Sequence, residues 1–370
     1  MISFEKKITT GTLTLTGNIN DPEIIEFLMN SNQAEIYHLP AWIKSLCDSY
    51  GGDPYYVLCN NNETGKIEGI APFILFNGKS ATKKKIISLP FTNYCDFILP
   101  AHIKTENILE IINSRFGSIL EFDFRNLSEE PLTGFSNTTD FLVHVINLKP
   151  TLDETYNSFG KRSIRRFIRK ADENGLTFRL GESDDDFRIF YDLEVKLRKS
   201  IGLPPAPYKF FYSIWSNLRK QNLIYLPIVS FKDEPVAASM VLHFKDRIYF
   251  EYTGLSKKYK NLYGNHKLHW DMIKIAQGEL GVKYVELGRV SVEHKDLIFF
   301  KENWGAVPYK VFHKRFPSQT EKNFVARIDK ITYPLIKEIN KKLPRLLLEL
   351  EGRAIYRYLK ILLICGLFLK

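Results

Sequence analysis

Lys301 is the residue whose type and setting most directly suggest chemistry. It follows Phe300 in the phrase FFKENWG, which continues to Trp304 and Gly305. A lysine held in a fixed place can stabilise a developing oxyanion, and an aromatic ring can hold a cation against its π face. Taken without further context, the same pattern is that of a surface lysine beside a core phenylalanine. Trp304 is expected to be a packing anchor, and Gly305 is expected to permit a turn.

A second cluster of charge lies between Lys161 and Lys170, where six basic residues occur without an acid. Its arginines follow the i, i+3, i+4, i+7 spacing of one helix face, and apolar residues occupy the opposite face. Arginine forks bind phosphates in bidentate fashion, so the stripe suits a phosphate-bearing precursor. A solvated basic face and nucleic-acid binding are the alternatives. The stripe consists of Arg162, Arg165, Arg166 and Arg169, and the apolar face of Ile164, Phe167, Ile168 and Ala171.

A turn rich in small and polar residues, Gly264, Asn265 and His266, separates the predicted strand RIYFEYTG from an amphipathic helix. The start of a helix points backbone N–H groups at an anion, so this turn is a candidate site for a donor molecule. The alternative is an ordinary Asn/Gly helix start.

Two arginines are candidates for holding an anionic substrate. Arg198 opens the proline-stiffened loop RKSIGLPPAP and would either bind an anion or cap the preceding helix. Arg289 ends the predicted strand VKYVELGR together with Glu286. A base for an attacking amine is not evident, and His266, His269 and His294 are equal candidates.

The elements that must position these residues alternate between strands and helices over the whole chain. Its 370 residues exceed one ordinary domain, and we predict domains at 1–150 and 151–316 with a basic helical tail at 317–370. The net charge of +10 favours anionic partners. The four cysteines have no zinc-site spacing, so we expect no metal and reduced thiols in a cytoplasmic protein.

The tail ends in the apolar run ILLICGLFL between Lys360 and Lys370. This run is too short to span a bilayer. The tail would either lie on the inner face of the membrane, with its basic residues towards anionic lipid, or pack against its own domain. The N-terminus lacks the apolar segment of a secretory signal.

Several phrases of the second half occur together and in order: KRSIRRFIRKADENG, LRKSIGLPPAPYKFFYSIW, RIYFEYTG, LYGNHKLHWDMIKIAQGELGVKYVELGR and FFKENWG. This series, over residues 150–316, resembles the FemAB-like, BioF2-type acetyltransferase domain. The resemblance implies an α/β fold of two tandem GNAT-like acyl-CoA N-acyltransferase domains with a substrate cleft between them. It also implies that Lys301, with Phe300, is catalytic and that Tyr252 borders the site.

The resemblance further implies transfer of an acyl or aminoacyl group to an amine of a peptidoglycan or polysaccharide precursor of the cell envelope. The donor would be acyl-CoA or aminoacyl-tRNA, used as a co-substrate rather than as a tightly bound cofactor. The run NLYGNH departs from the GNAT pyrophosphate loop R/Q-x-x-G-x-G/A, which argues against acetyl-CoA. The absence of an obvious long helical arm argues against tRNA as a partner. An acyl-CoA-dependent N-acetyltransferase of an amino sugar and a non-catalytic anion- or membrane-binding module remain the alternatives.

Overall fold

The structure is a computed structural model that describes residues 8–10, 12–77, 84–117, 121–316 and 334–362. The chain divides into two compact units. The first comprises Met1–Phe141 and Lys310–Glu321, and the second comprises Leu142–Tyr309 and Lys322–Lys370. This division differs from the predicted domains because the chain returns to the first unit after residue 309.

The first unit is a largely antiparallel sheet with helices, and its strand order is β1-β2-β3-β4-β5-β6-β13. Its last strand pairs with β6 in an antiparallel register, Phe312 opposite Asn126 and Phe316 opposite Phe122. The pairing explains why residues 310–316 belong here rather than to the second half of the chain. The elements are β1 (Ile8–Thr10), β2 (Leu13–Thr16), α1 (Pro22–Asn30), α2 (Pro40–Tyr50), β3 (Asp53–Asn60), β4 (Ile67–Asn77), β5 (Lys84–Ile87), α3 (Thr105–Phe116), β6 (Glu121–Asn126) and β13 (Val307–Phe316).

The second unit repeats the mixture of strands and helices, with strand order β7-β12-β11-β10-β9-β8. Its elements are β7 (Ser136–Asn147, of which 142–147 belong to this unit), α4 (Leu152–Ser158), α5 (Arg166–Glu173), β8 (Leu176–Gly181), α6 (Asp184–Ile201), α7 (Tyr208–Arg219), β9 (Ile224–Phe231), β10 (Glu234–Phe244), β11 (Arg247–Leu255), α8 (Gly264–Gly278), β12 (Tyr284–Ser291), α9 (Lys295–Asn303), α10 (334–342) and α11 (Arg345–Leu362).

Local sequence accounts for the boundaries of these elements. Helix α6 begins with a capping box in which Ser183 accepts from the Asp186 N–H, and it ends at Gly202 in the left-handed conformation. Strands β9 and β10 form a hairpin through Lys232 and Asp233, which both have positive φ, as a tight primed turn requires. Helices α5 and α8 bury their apolar faces in one core with the sheet, and α6 packs on β10 and β11.

Residues 152–173, which include the predicted arginine stripe, form two helices rather than one continuous helix. Helix α4 ends at Ser158, and residues 161–165 form a turn of π-helix before α5 begins. The backbone N–H of Gly160 donates to the carbonyl of Asn303 at 2.8 Å, and the Ser163 hydroxyl donates to the side-chain oxygen of Asn303 at 2.8 Å. These contacts with a distant part of the chain replace the helical hydrogen bonds at this point.

The C-terminal helices pack on their own unit. The side chain of Arg345 donates to Asp192 of α6 at 2.6 Å. A Cβ atom on Gly352 would meet the carbonyl oxygen of Pro205 at 2.2 Å, so α11 approaches the 202–207 loop as closely as a glycine permits. The side chains of the apolar run 361–369 lie outside the described residues. Among the helices that the structure describes, none is long and apolar enough to cross a membrane.

Candidate functional site

The site lies in the second unit, where the parallel strands β11 and β12 stop pairing. Their register runs from Arg247–Tyr284 to Tyr249–Glu286 and goes no further, although both strands continue. On its other side, β11 has a β-bulge: Phe250 and Tyr252 face consecutive residues of β10, so Glu251 is the extra residue of the bulge. Bulges re-aim side chains and end strand pairing, and this one lies at the point where β11 and β12 stop pairing, a place that we call the opening.

Lys301 reaches this opening from α9. It is 8% exposed, and its ammonium donates a hydrogen bond of 2.7 Å to the backbone carbonyl of Gly288 on β12. Gly288 has a φ of 70°, a left-handed conformation that glycine adopts without strain. That conformation within a strand turns the carbonyl into position to accept from the lysine.

The charge of Lys301 is poorly compensated. Burial lowers the pKa of Lys301 to about 8, although the carboxylates of Glu286 and Glu251 act in the opposite direction. Among the described residues, Gly288 is its only hydrogen-bond partner. An ammonium has three N–H donors, so the remaining two are available to a ligand. The arrangement supplies a cation that can donate to an oxyanion, with a pKa close enough to neutrality for it also to exchange a proton.

Two buried histidines lie within electrostatic range of Lys301. His269 on α8 stacks on Phe250 with ring centroids 4.2 Å apart, and burial lowers its pKa to about 4, with Lys301 adding to the effect. His144 on β7 is fully buried, and neither of its ring nitrogens has a hydrogen-bond partner among the described residues. Burial, followed by the charge of Lys301, lowers the pKa of His144 to about 4. Both rings are therefore neutral at pH 7.

Phe300 does not hold the Lys301 cation, contrary to the sequence expectation. Its ring packs edge-on against His266 at 5.5 Å and against His269 at 6.2 Å, and no cation lies over it among the described residues. Phe300 and Lys301 are consecutive in a helix, so their side chains point about 100° apart. Trp304 is fully buried as an anchor, with its ring 5.0 Å from that of Phe159.

The predicted substrate-binding residues Tyr252, Arg198 and Arg289 come together. Burial raises the pKa of Tyr252 well above its usual value, Glu251 adds to this, and the cations of Arg289 and Arg198 oppose it. Arg198 donates to the buried carboxylate of Glu194 at 2.7 Å. This ion pair holds the guanidinium group in place. Two guanidinium groups and the carboxylates of Glu194 and Glu251 thus lie around one half-buried phenol next to the bulge.

The turn at Gly264, Asn265 and His266 starts α8 as predicted. Tyr263 precedes it in the left-handed conformation, and a Cβ atom on Gly264 would meet Val236 of β10 at 3.0 Å. The carbonyl of Asn265 bonds the ring of His269 at 2.8 Å. Burial lowers the pKa of His266 to about 4, and its ring stands between Phe167 and Phe300. His266 is thus packed among aromatic rings as a neutral side chain.

The arginine stripe is less regular than its spacing predicts. Arg162 lies in the π-helical turn and is exposed, as is Arg166. Arg165 is half-buried and donates to the side chain of Asn157 at 2.8 Å. A π turn advances more residues per turn than an α-helix, so the four arginines do not form the single straight face that was predicted. The opposite face does bury its apolar residues Ile164, Ile168 and Ala171.

Sequence reasoning singled out Lys301, Tyr252 and the two arginines, whose roles stay predictions, and it did not single out His144, Gly288 or Glu251. His144 had one signal, a histidine between Val143 and Val145 in an otherwise apolar strand. His294 precedes α9, and its backbone N–H bonds the carbonyl of Ser291 at 3.0 Å. No base role for it follows from that contact.

Comparisons with known proteins bear on the fold and on one domain of the chain. The family model for an acetyltransferase (GNAT) domain matches residues 158–310. No curated protein sequence matches the chain. Among solved structures, FemX superposes with a TM-score of 0.67 at 13% identity, covering 90% of this chain and 100% of that one. The C-terminal domain of a putative lysylphosphatidylglycerol synthetase from Agrobacterium fabrum has a TM-score of 0.54 at 10% identity, covering 84% and 95%.

The predicted fold class is confirmed: the chain is α/β, is similar in fold to FemX, and ends in helices. The resemblance to the FemAB-like fold is likewise confirmed. Residues 158–310 match the model of a GNAT acetyltransferase domain, and this match supports the prediction of an acyltransferase. Lys301, Gly288 and the parting of β11 from β12 all lie within the matched residues.

Proposed function

We propose that the protein forms an amide by transferring an acyl or aminoacyl group to an amine on an anionic precursor of the cell envelope. The observation that carries the proposal is Lys301, a buried ammonium with one hydrogen-bond partner among the described residues, placed where two strands of a GNAT domain separate. Protein folding does not favour such a residue, because burying a charge without full compensation costs free energy. The presence of Lys301 is explained if a bound ligand accepts hydrogen bonds from its two remaining N–H groups.

The proposed role of Lys301 is to stabilise the tetrahedral intermediate. Attack of the acceptor amine on the donor carbonyl moves an electron pair onto oxygen, and the two unused N–H groups of Lys301 would donate to that oxyanion. One such donor contributes about 10²–10³ in kcat in other acyl-transfer sites. When the intermediate collapses, the bond from the acyl carbon to the sulfur or oxygen of the donor breaks. The attacking nitrogen gives up a proton, and the leaving carrier takes up a proton to depart as its thiol or hydroxyl form.

The proposed acceptor carries negative charge. Arg198 and Arg289 surround Tyr252 beside the site, and the chain carries a net charge of +10. Arg162 and Arg166 offer further exposed cations. Guanidinium groups match phosphate and carboxylate geometry, so a phosphate-bearing precursor fits this surface. The names of FemX and of the lysylphosphatidylglycerol synthetase domain support an envelope acceptor as a proposal.

The proposed donor carries a phosphate group that the start of α8 would bind. The start of α8 at Gly264 is the proposed place for a donor phosphate, since backbone N–H groups there are oriented towards an anion. Acyl-CoA and aminoacyl-tRNA would both present phosphate at this position. The match of an acetyltransferase model to residues 158–310 favours, as a second candidate, an acyl-CoA-dependent N-acetyltransferase of an amino sugar.

Calorimetric titration with acetyl-CoA, longer acyl-CoAs and charged tRNA identifies the donor, and a transfer assay with amine acceptors then tests the reaction. We expect one donor class to bind, and Lys301→Ala to lower kcat by about 10²–10³ while changing the donor Kd by less than about twofold. Lys295→Ala, an exposed lysine on the same helix, is the matched control and should keep the wild-type rate. A Lys301→Ala protein with full activity, or the absence of any donor, would contradict the proposal and favour a non-catalytic binding module.

A further inference from the structure

Exposed apolar side chains are concentrated on the two C-terminal helices. Six large hydrophobic residues between positions 335 and 350 are 43–67% exposed to solvent. Single exposed hydrophobic residues are ordinary, but six of them within sixteen residues of two consecutive helices suggest an interaction surface. These residues, which we name the C-terminal apolar face, are Leu335, Ile336 and Ile339 on α10 and Leu346, Leu347 and Leu350 on α11.

The packing of α11 explains why this face stays open. Leu348, Gly352 and Tyr356 are buried, and their spacing of four residues places them on one side of the helix. That side packs on its own unit, where Gly352 meets Pro205. Leu346 and Leu350 lie on the opposite side, because residues two positions away from a buried stripe are about 200° from it. One face of α11 therefore packs against its own unit, and a second apolar face, with Leu346 and Leu350, is exposed to solvent.

The charges around this face are mainly positive. Residues 334–356 contain five Lys/Arg and three Glu. Two of the glutamates are occupied in ion pairs, Glu338 with Lys341 and Glu349 with Arg345 at 2.6 Å. Lys342 and Arg353 are exposed and have no ion-pair partner among the described residues. The third glutamate, Glu351, is half-buried and accepts a hydrogen bond from Asn340, so the exposed charges without an ion-pair partner beside the C-terminal apolar face are cationic.

We propose that the C-terminal apolar face docks the protein on the surface of an anionic phospholipid bilayer. An amphipathic helix with basic residues beside its apolar side lies in the plane of the interface, where the apolar side chains enter the acyl region and the cations meet the lipid phosphates. A second copy of this chain is a poorer occupant, because it would bring the uncompensated cations Lys342 and Arg353 of both copies together. The proposal does not depend on the proposed reaction.

The test is co-sedimentation of the full chain with vesicles. We expect binding to vesicles of phosphatidylcholine mixed with phosphatidylglycerol and much weaker binding to phosphatidylcholine alone. Replacing Leu346 and Leu350 together with serine should lower the partition coefficient by about tenfold or more, because the apolar area that enters the bilayer is lost. The matched control replaces Ile25 and Met29, an exposed pair with the same spacing on α1, and should bind like the wild type.

A second variant protects the test from a folding defect. Lys342→Glu combined with Arg353→Glu leaves the apolar side chains in place and should remove the preference for phosphatidylglycerol. The proposal is overturned if the wild type does not sediment, if it binds both vesicle types equally, or if the α1 control loses binding as much as the leucine variant does. It is also overturned if light scattering shows a dimer that the leucine variant dissociates, because the face would then join two copies.

Discussion

The ammonium of Lys301 donates a hydrogen bond of 2.7 Å to the carbonyl of Gly288, and this bond joins helix α9 to the strand beside the opening. The lysine is anchored by a neutral acceptor rather than by a carboxylate. Glu286 and Glu251 offset part of its charge through space, but burial outweighs them and lowers the pKa of Lys301 to about 8. A cation in this condition is strongly attracted to a new negative charge, such as the oxyanion of an acyl-transfer step.

The pH dependence of the reaction should report this lysine. The pKa of Lys301 is about 8, so the ammonium is about nine-tenths protonated at pH 7 and about one-tenth protonated at pH 9. If the protonated form stabilises the oxyanion, kcat measured at saturating substrate should fall as the pH rises through about 8. A kcat that instead rises to a plateau above pH 8 would show that Lys301 acts as a base.

Lys301→Arg is the control for that profile. A guanidinium remains protonated throughout this range, so the activity that the variant retains should lack the fall near pH 8. If the fall persists in Lys301→Arg, it belongs to another group, such as the substrate amine or a second residue of the site.

The same burial predicts that Lys301 destabilises the fold. An unperturbed lysine, as in the unfolded chain, has a pKa of 10.5, whereas the pKa of Lys301 in the folded chain is about 8. Between these values the unfolded chain binds more protons than the folded one, so stability rises with pH in this window and the full cost is present below pH 8. Lys301→Met should therefore be more stable at pH 7, by up to about 3 kcal/mol, in urea unfolding. That advantage should shrink between pH 8 and 10.5.

The matched variant for this measurement is Lys295→Met on the same helix, where the lysine is exposed. It should unfold at nearly the wild-type urea concentration at every pH. A Lys301→Met protein that is less stable than the wild type at pH 7 would show that the bond to Gly288 outweighs the cost of burial.

Gly288 offers a test of geometry without a change of charge. It has a φ of 70°, and an added Cβ atom would meet the carbonyl oxygen of Phe250 at 3.2 Å. Gly288→Ala should therefore cost about 1–3 kcal/mol of stability and lower kcat, because the acceptor of Lys301 must move. Gly281→Ala is the control, since Gly281 has a similar φ of 66° but nothing within 4 Å of its added Cβ. It should lose about 1 kcal/mol and no activity.

The sequence predicted the parts of this site that depend on local pattern. The strands and helices around Lys301 follow apolar periodicity and end at turn residues. The choice of Lys301 rested on the family resemblance of the phrase FFKENWG, and its role stays a prediction. Arg198 and Arg289 were found because they stand at the ends of predicted elements. These signals are local, and the structure places Tyr252 with the two arginines.

The parts that the sequence did not predict depend on contacts between distant residues. The break after α4 rests on hydrogen bonds of Gly160 and Ser163 to Asn303, which no window of local sequence contains. The left-handed conformation of Gly288 and the burial of His144 likewise follow from neighbouring strands. Pairing with β6 returns residues 310–316 to the first unit, which the break at Pro150 did not indicate.

The buried histidines predict a loss of stability in mild acid. Burial lowers the pKa of four histidines from 6.5 to about 4: His144, His266, His269 and His313. Below pH 6.5 the unfolded chain takes up these protons, and the folded chain does so only near pH 4, so the free energy of unfolding should fall as the pH drops through this window. For the fully buried His144 alone, the fall between pH 6.5 and 5 is about 2 kcal/mol.

Urea unfolding of His144→Leu at pH 7 and pH 5 should show a correspondingly smaller difference in the free energy of unfolding than the wild type, whereas His102→Gln, at an exposed histidine, should match the wild type. A His144→Leu protein with an unchanged difference would mean that His144 takes up its proton equally well in the folded chain.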